Sequence, residues 1–107
     1  SISLETVQNA VSKLKGAWID QRTPERVSHR RADLVRKRQV IDIGVLGVEN
    51  GLYRLEVLGE GGLYIKELVS GDGGRTTPSL AEILAVPAKV VELDVVQVDG
   101  LPNIGDE

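Results

Sequence analysis

Tyr64, Ile65 and Lys66 stand together between two glycine clusters in the stretch GGLYIKELVSGDGGRTTPS, residues 61–79, of a chain with two tyrosines and no phenylalanine. The glycines on either side suggest that something passes close to the backbone at this point. The blander reading makes Tyr64 and Ile65 core residues at the junction between a strand and a helix. Arg22, Arg26, Arg30, Arg31, Arg36, Lys37 and Arg38 form a second constellation, interrupted only by the acids Glu25 and Asp33. The chain as a whole carries −3, so one basic segment stands in an acidic remainder. That distribution points to a polyanion site confined to one surface; the alternative is a solvated loop and strand whose cations pair with neighbouring acids.

Other chemistries find less support. His29 has no serine or cysteine that spacing would place beside it, which favours a polyanion-contacting or solvated imidazole over a catalytic base. SGDGGR, residues 70–75, resembles a phosphate-cradling loop but lacks the spacing and the lysine of a nucleotide-binding loop, so a connector is the simpler reading. With no cysteine and one histidine, neither a disulfide framework nor a zinc site is expected, and no metal is assigned.

The elements that must position these residues follow from periodicity. Leu4, Val7, Val11 and Leu14 recur at helical spacing, with Ser3 as N-cap and Gly16 as stop. Residues 20–33, DQRTPERVSHRRAD, show neither period and contain Pro24, so they read as a long exposed loop carrying most of the basic residues. Ile41, Ile43 and Val45 alternate with polar or small neighbours; Asn50-Gly51 signals a primed turn, and Tyr53, Leu55 and Val57 resume the alternation, which predicts a β-hairpin. Gly59, Gly61 and Gly62 suggest a bend or a close approach of backbone. A short helix through Leu80, Ile83 and Leu84 starts either with Pro78 in its first turn or with a Ser79–Glu82 capping box, and ends at Pro87. Val91, Leu93 and Val95 alternate with acids, which predicts a half-buried strand, and residues 99–107 read as a loose tail.

Helices and antiparallel strands interleave, so the expected class is α+β, with a mixed or antiparallel sheet and helices on one face. A chain of 107 residues with 41% apolar and 27% charged residues has the size and composition of one globular domain, 1–107. No run of 18 apolar residues and no leader pattern is present, so no membrane contact is expected and the cytoplasm is the default location. The absence of methionine fits a piece of a longer polypeptide.

QRTPERVSHRRADLVRKR (residues 21–38), GGLYIKELVSGDGGRTTPSLAEIL (61–84) and ELDV (92–95) together resemble the C-terminal part of the archaeal and eukaryotic transfer-RNA pseudouridine synthase family that acts on the TΨC arm. The likeness runs from about residue 14 to residue 98. Gly62, Leu63, Tyr64, Ile65 and Lys66 are also similar to the Gly-Thr-Tyr-Ile-Arg motif of the bacterial uridine-55 synthases, with leucine in place of threonine and lysine in place of arginine.

The resemblance implies the second half of a pseudouridine synthase catalytic domain, working on tRNA without metal or organic cofactor. It implies Tyr64 and Lys66 as catalytic residues, the first a surface for the flipped base and the second a partner for the catalytic aspartate, with Ile65 and Leu93 completing the pocket wall. Arg22, Arg26, His29, Arg30, Arg31, Arg36, Lys37 and Arg38 would contact RNA, mostly at phosphates, which position a nucleic acid without reading it. The family's Gly-Arg-Glu-Asp-like motif is absent from these residues, so the chain is expected to be a fragment, inactive alone, whose partner is the upstream half of the domain. Surface meant for that half would invite self-association. A non-catalytic RNA-binding module is the alternative, and a structural interaction domain a third.

Overall fold

The computed structural model describes residues 2–94. Helix α1, Leu4–Leu14, forms as the spacing predicts: Ser3 is the N-cap, its hydroxyl accepts from the Thr6 amide, and Val7, Ala10, Val11 and Leu14 are buried. Gly16, at φ +76°, lets the chain leave the helix in the left-handed region, where a Cβ would be strained.

Strand β1, Trp18–Arg22, starts two residues before the expected loop, so residues 20–22 belong to the sheet. Its polarity is inverted at both ends, which hides it from a pattern search. Trp18 points out at 52% exposure while Gln21 is buried at 2%. The segment that follows holds a 3₁₀ turn, Glu25–Val27, and is a tied-down excursion. The Thr23 amide donates to the Leu34 carbonyl and the Leu34 amide to the Thr23 hydroxyl, closing the ends of the loop. Val27, 1% exposed, anchors its middle.

Strands β2, Val35–Glu49, and β3, Leu52–Gly59, make the predicted hairpin around Asn50 and Gly51, both at positive φ. Register shifts between Val40 and Asp42 and between Val45 and Gly47 mark two bulges in β2. The first corrects the expected alternation: Ile41 is exposed, and the inward sequence runs Val40, Ile43, Val45. The next element is helix α2, Ile65–Ser70, which the sequence pattern does not reveal. After a second 3₁₀ turn, Asp72–Gly74, come strand β4, Thr76–Thr77, and helix α3, Leu80–Leu84. Ser79 caps α3 by accepting from the Glu82 amide, while the Glu82 carboxylate takes the Thr77 hydroxyl, so the second half of the capping box goes to Thr77. The helix ends on Ala85, before Pro87.

The four strands form one antiparallel sheet in the order β3-β2-β1-β4. Ile19, Val40 and Ile43 from the sheet, the buried face of α1, Leu63, Ile65 and Leu68 around α2, and Leu80 of α3 form one core. The fold is therefore α+β with its helices gathered on one sheet face. No strand occurs at residues 88–94: of the two described residues of the expected pattern, Val91 is 68% exposed and Leu93 packs against the core. Val95 and the expected tail at 99–107 lie outside the described residues. No helix among the described residues is long and apolar enough to cross a membrane.

Candidate nucleic-acid interface

The glycine-rich approach to Tyr64 is shaped by two side chains. A Cβ on Gly59 would lie 2.4 Å from Leu63 Cδ2, so the fully buried Leu63 can cross the end of β3 only because residue 59 has none. Gly62, at φ +92°, has the Arg38 side chain lying over it. The chain then enters α2 with Tyr64 at the N-cap and no side-chain cap.

Gln21 instead holds the backbone of the N-cap residue itself. Its Oε1 accepts from the Tyr64 amide at 2.9 Å and its Nε2 donates to the Tyr64 carbonyl at 2.9 Å, in a buried setting. Both backbone groups of Tyr64 are thereby satisfied by one side chain from β1, and the cost of burying them unpaired is avoided. The tyrosine itself is 8% exposed.

Strand register divides the basic residues between two faces. Residues directly opposite in an antiparallel pair share a face, and neighbours along a strand alternate. Gln21 pairs with Arg36 and Ile19 with Arg38, so both arginines stand on the helix-bearing face beside Tyr64. Asp20 pairs with Lys37, which places Lys37 on the opposite face, 2.9 Å from the Asp20 carboxylate.

A small open pocket of about 230 Å³ lies where these residues meet, lined by Gln21, Thr23, Arg31, Ala32, Leu34, Arg36 and Tyr64. This is below the roughly 300–1,000 Å³ of pockets that enclose a drug-sized ligand. It can take one part of a larger molecule, such as a base or a phosphate. Lys66 is exposed on the first turn of α2 and forms no ion pair among the described residues. Ile65 belongs to the core, and neither it nor Leu93 lines the pocket. His29 and Arg30 are exposed at the tip of the loop. Gln21, absent from the sequence-derived candidates, joins the site, and nothing in DQRTP marks it as buried.

Several cations are turned toward partners in the fold. Arg22 donates to Asp33 through Nε at 2.9 Å and Nη2 at 2.6 Å, and Arg26 is paired with Glu67. Arg75 Nε donates to the Thr23 carbonyl at 3.0 Å and lies 3.6 Å from Asp72 Oδ2, while its Nη2 lies 3.6 Å from Asp33 Oδ1. The SGDGGR segment is no anion cradle: the amides of Gly71, Gly74, Arg75 and Thr76 donate to backbone carbonyls, and that of Asp72 to the Ser70 hydroxyl. The Asp72 carboxylate instead accepts from the Glu25 amide at 2.9 Å, fastening the basic loop.

Hydrogen bonds from Arg22 hold the Asp33 carboxyl below its ordinary value, against an opposing desolvation, with the charges of Arg22 and Arg75 adding to the effect; the same hydrogen bond raises Arg22. A carboxyl whose folded pKa is depressed contributes stability above its unfolded value, near 3.9, and loses it as pH falls through the folded value. The tether is therefore intact at neutral pH. As pH falls from about 4, the unfolded carboxylate value, down through the lower folded value, protection of the Thr23 and Leu34 amides against hydrogen exchange, corrected for intrinsic rates, is expected to fall more than that of Val40. Equal changes at the three amides would show that the ion pair does not secure the loop.

A family model described as Pus10, C-terminal, matches residues 2–99. The chain belongs to the Pus10 C-terminal family. Proteins named tRNA pseudouridine synthase Pus10 are similar to it over most of its length: 52% identity with that of Methanothrix thermoacetophila across 92% of this chain and 22% of the relative. The protein of Pyrococcus furiosus is 50% identical across 91% of this chain and 25% of the relative. For Archaeoglobus fulgidus the identity is 52%, again across 91% of the chain and 27% of the relative. The chain thus spans about a quarter of the length of the curated relatives it matches. The matched relatives are named tRNA pseudouridine synthases, in agreement with the family that residues 21–38 and 61–84 resemble.

Proposed function

We propose that this chain forms the C-terminal part of the catalytic domain of a cytoplasmic tRNA pseudouridine synthase, supplying a basic grip on RNA and one wall of the uridine pocket in the TΨC arm. The observation that carries the reading is the pocket in which Tyr64 and two arginine-bearing positions, Arg31 and Arg36, line one small opening. A base taken out of its stack needs a flat surface to lie against, and its flanking phosphates need cations.

In the reaction the N1–C1′ glycosidic bond breaks and a C5–C1′ bond forms; the C5 proton is lost and N1 regains one, so the composition of the nucleotide is unchanged. This chain's part is positional. Tyr64 supports the base, Lys66 pairs with the catalytic aspartate carried by the upstream half, and Arg30, Arg31, Arg36, Arg38 and His29 meet the RNA backbone. Ile65 and Leu93 back the wall from the core side.

The test is binding and turnover of unmodified tRNA by the full-length protein across a salt series. The logarithm of affinity is expected to fall with that of salt, and Arg36→Ala with Arg38→Ala should flatten the slope by roughly 1.4, about 0.7 for each lost phosphate contact. Pseudouridine should appear in the TΨC arm. An unchanged slope in the double variant removes these arginines from the interface, while binding without isomerisation would favour a non-catalytic RNA-binding module.

A further inference from the structure

Glu67 is a buried carboxylate, 5% exposed, one helical turn beyond Tyr64 and hence on the same face of α2. Its partner comes from the basic loop: Arg26 Nε lies 2.9 Å from Glu67 Oε2, and Arg26 Nη2 lies 3.5 Å from Oε1. The same guanidinium stands over the Tyr64 ring, with Cζ 5.9 Å from the ring centroid. The pair is half-buried, with the Arg26 side chain 33% exposed, and burying a carboxylate for such a pair is a poor device for stability, since well-packed apolar residues often serve as well or better. What an arginine adds is a planar cation whose plane and position a carboxylate can fix against an aromatic face.

From this geometry we propose that Arg26, held by Glu67, is a positioning residue for Tyr64 and makes no phosphate contact of its own: it sets the ring and links the seating of the basic loop to the ring's orientation. The inference rests on the reading of Tyr64 as the surface for the base. Arg26 and Glu67 then govern the rate of isomerisation far more than the affinity for RNA. Reacting groups misplaced by about 1 Å can cost up to 10²-fold in rate, so a ring released from its cation has room to produce a large effect.

The experiment uses the full-length protein and compares single-turnover rate constants and tRNA dissociation constants. The variants are Arg26→Gln, Glu67→Gln, Arg26→Lys, Tyr64→Leu and the double variant Arg26→Met/Glu67→Leu. The double variant removes both charges together and so keeps the fold without an orphaned ion. Arg26→Gln, Glu67→Gln and the double variant are each expected to slow turnover about tenfold or more, with affinity within about twofold, and Arg26→Lys should recover part of the loss. A double variant that melts and turns over like the unsubstituted protein would overturn the inference while leaving the Tyr64 reading intact, provided Tyr64→Leu is slow. Weaker tRNA binding in Arg26→Gln, with a salt slope flattened by about 0.7 and an unchanged rate, would overturn it by making Arg26 a phosphate contact. Normal turnover by Tyr64→Leu would bring down the parent reading, and the inference with it.

Discussion

Lys66→Ala in the full-length protein is expected to lower kcat for uridine isomerisation by about 10²- to 10³-fold, the usual loss when one preorganised electrostatic partner is removed from a reacting centre. Affinity for tRNA should change by less than about threefold, since one exposed phosphate contact at most would be lost. Lys66 is exposed on the first turn of α2 and forms no ion pair among the described residues. Arg22, Arg26 and Arg75, by contrast, are turned toward carboxylates of the fold. An ammonium two residues from Tyr64 is thus available to a carboxylate brought by the upstream half. Removing it raises the pKa of that carboxylate, by about 1–3 units for a close pair, and the acid limb of the pH–rate profile moves to higher pH. Lys66→Arg should retain most of the activity. Turnover by Lys66→Ala at the unsubstituted rate, with the acid limb unmoved, would eliminate the ion pair.

The second large effect is on stability. Leu63→Ala is expected to cost about 3–5 kcal/mol, in the range for a fully buried leucine whose surroundings cannot collapse onto the cavity. Leu63 is 0% exposed and joins β3 to α2 in the same core that receives Leu14, Ile19 and Val40. Gly59 gives it room but no side chain that could swing in to fill the void. Denaturant melts of Leu63→Ala against Leu52→Ala provide the comparison, because Leu52 is 55% exposed and its truncation should stay within about 0.5 kcal/mol. Similar losses for both would mean that the region around Gly59 repacks freely.

Where sequence patterns failed, the cause is visible at single residues. Helix α1, the hairpin and α3 carry both a period and a punctuation mark: Ser3, Asn50-Gly51 and Ser79 each perform the local role their type suggests. Helix α2 has neither, because it is six residues long and its N-terminal backbone is satisfied by Gln21, 43 residues away. Strand β1 puts a tryptophan outside and a glutamine inside, against the hydrophobic pattern. The strand expected through Val91, Leu93 and Val95 is not formed in its described part, up to residue 94: the alternation is there, but Val91 stands exposed. In the candidate site, the sequence singles out Tyr64, Arg31 and Arg36, by type and by family resemblance, and these three line one opening. The separation of Lys37 from Arg36 and Arg38 was not legible, because it depends on register between β1 and β2.

The Gln21 clamp separates the scaffold of position 64 from its side chain. Both main-chain groups of that residue are held by a distant amide, so the course of the polypeptide there does not depend on which side chain it carries. Position 64 behaves as a socket. Exchanging the ring for phenylalanine, histidine or tryptophan should alter what the pocket accepts while leaving the path into α2 in place, which makes it a suitable place to begin retuning substrate choice.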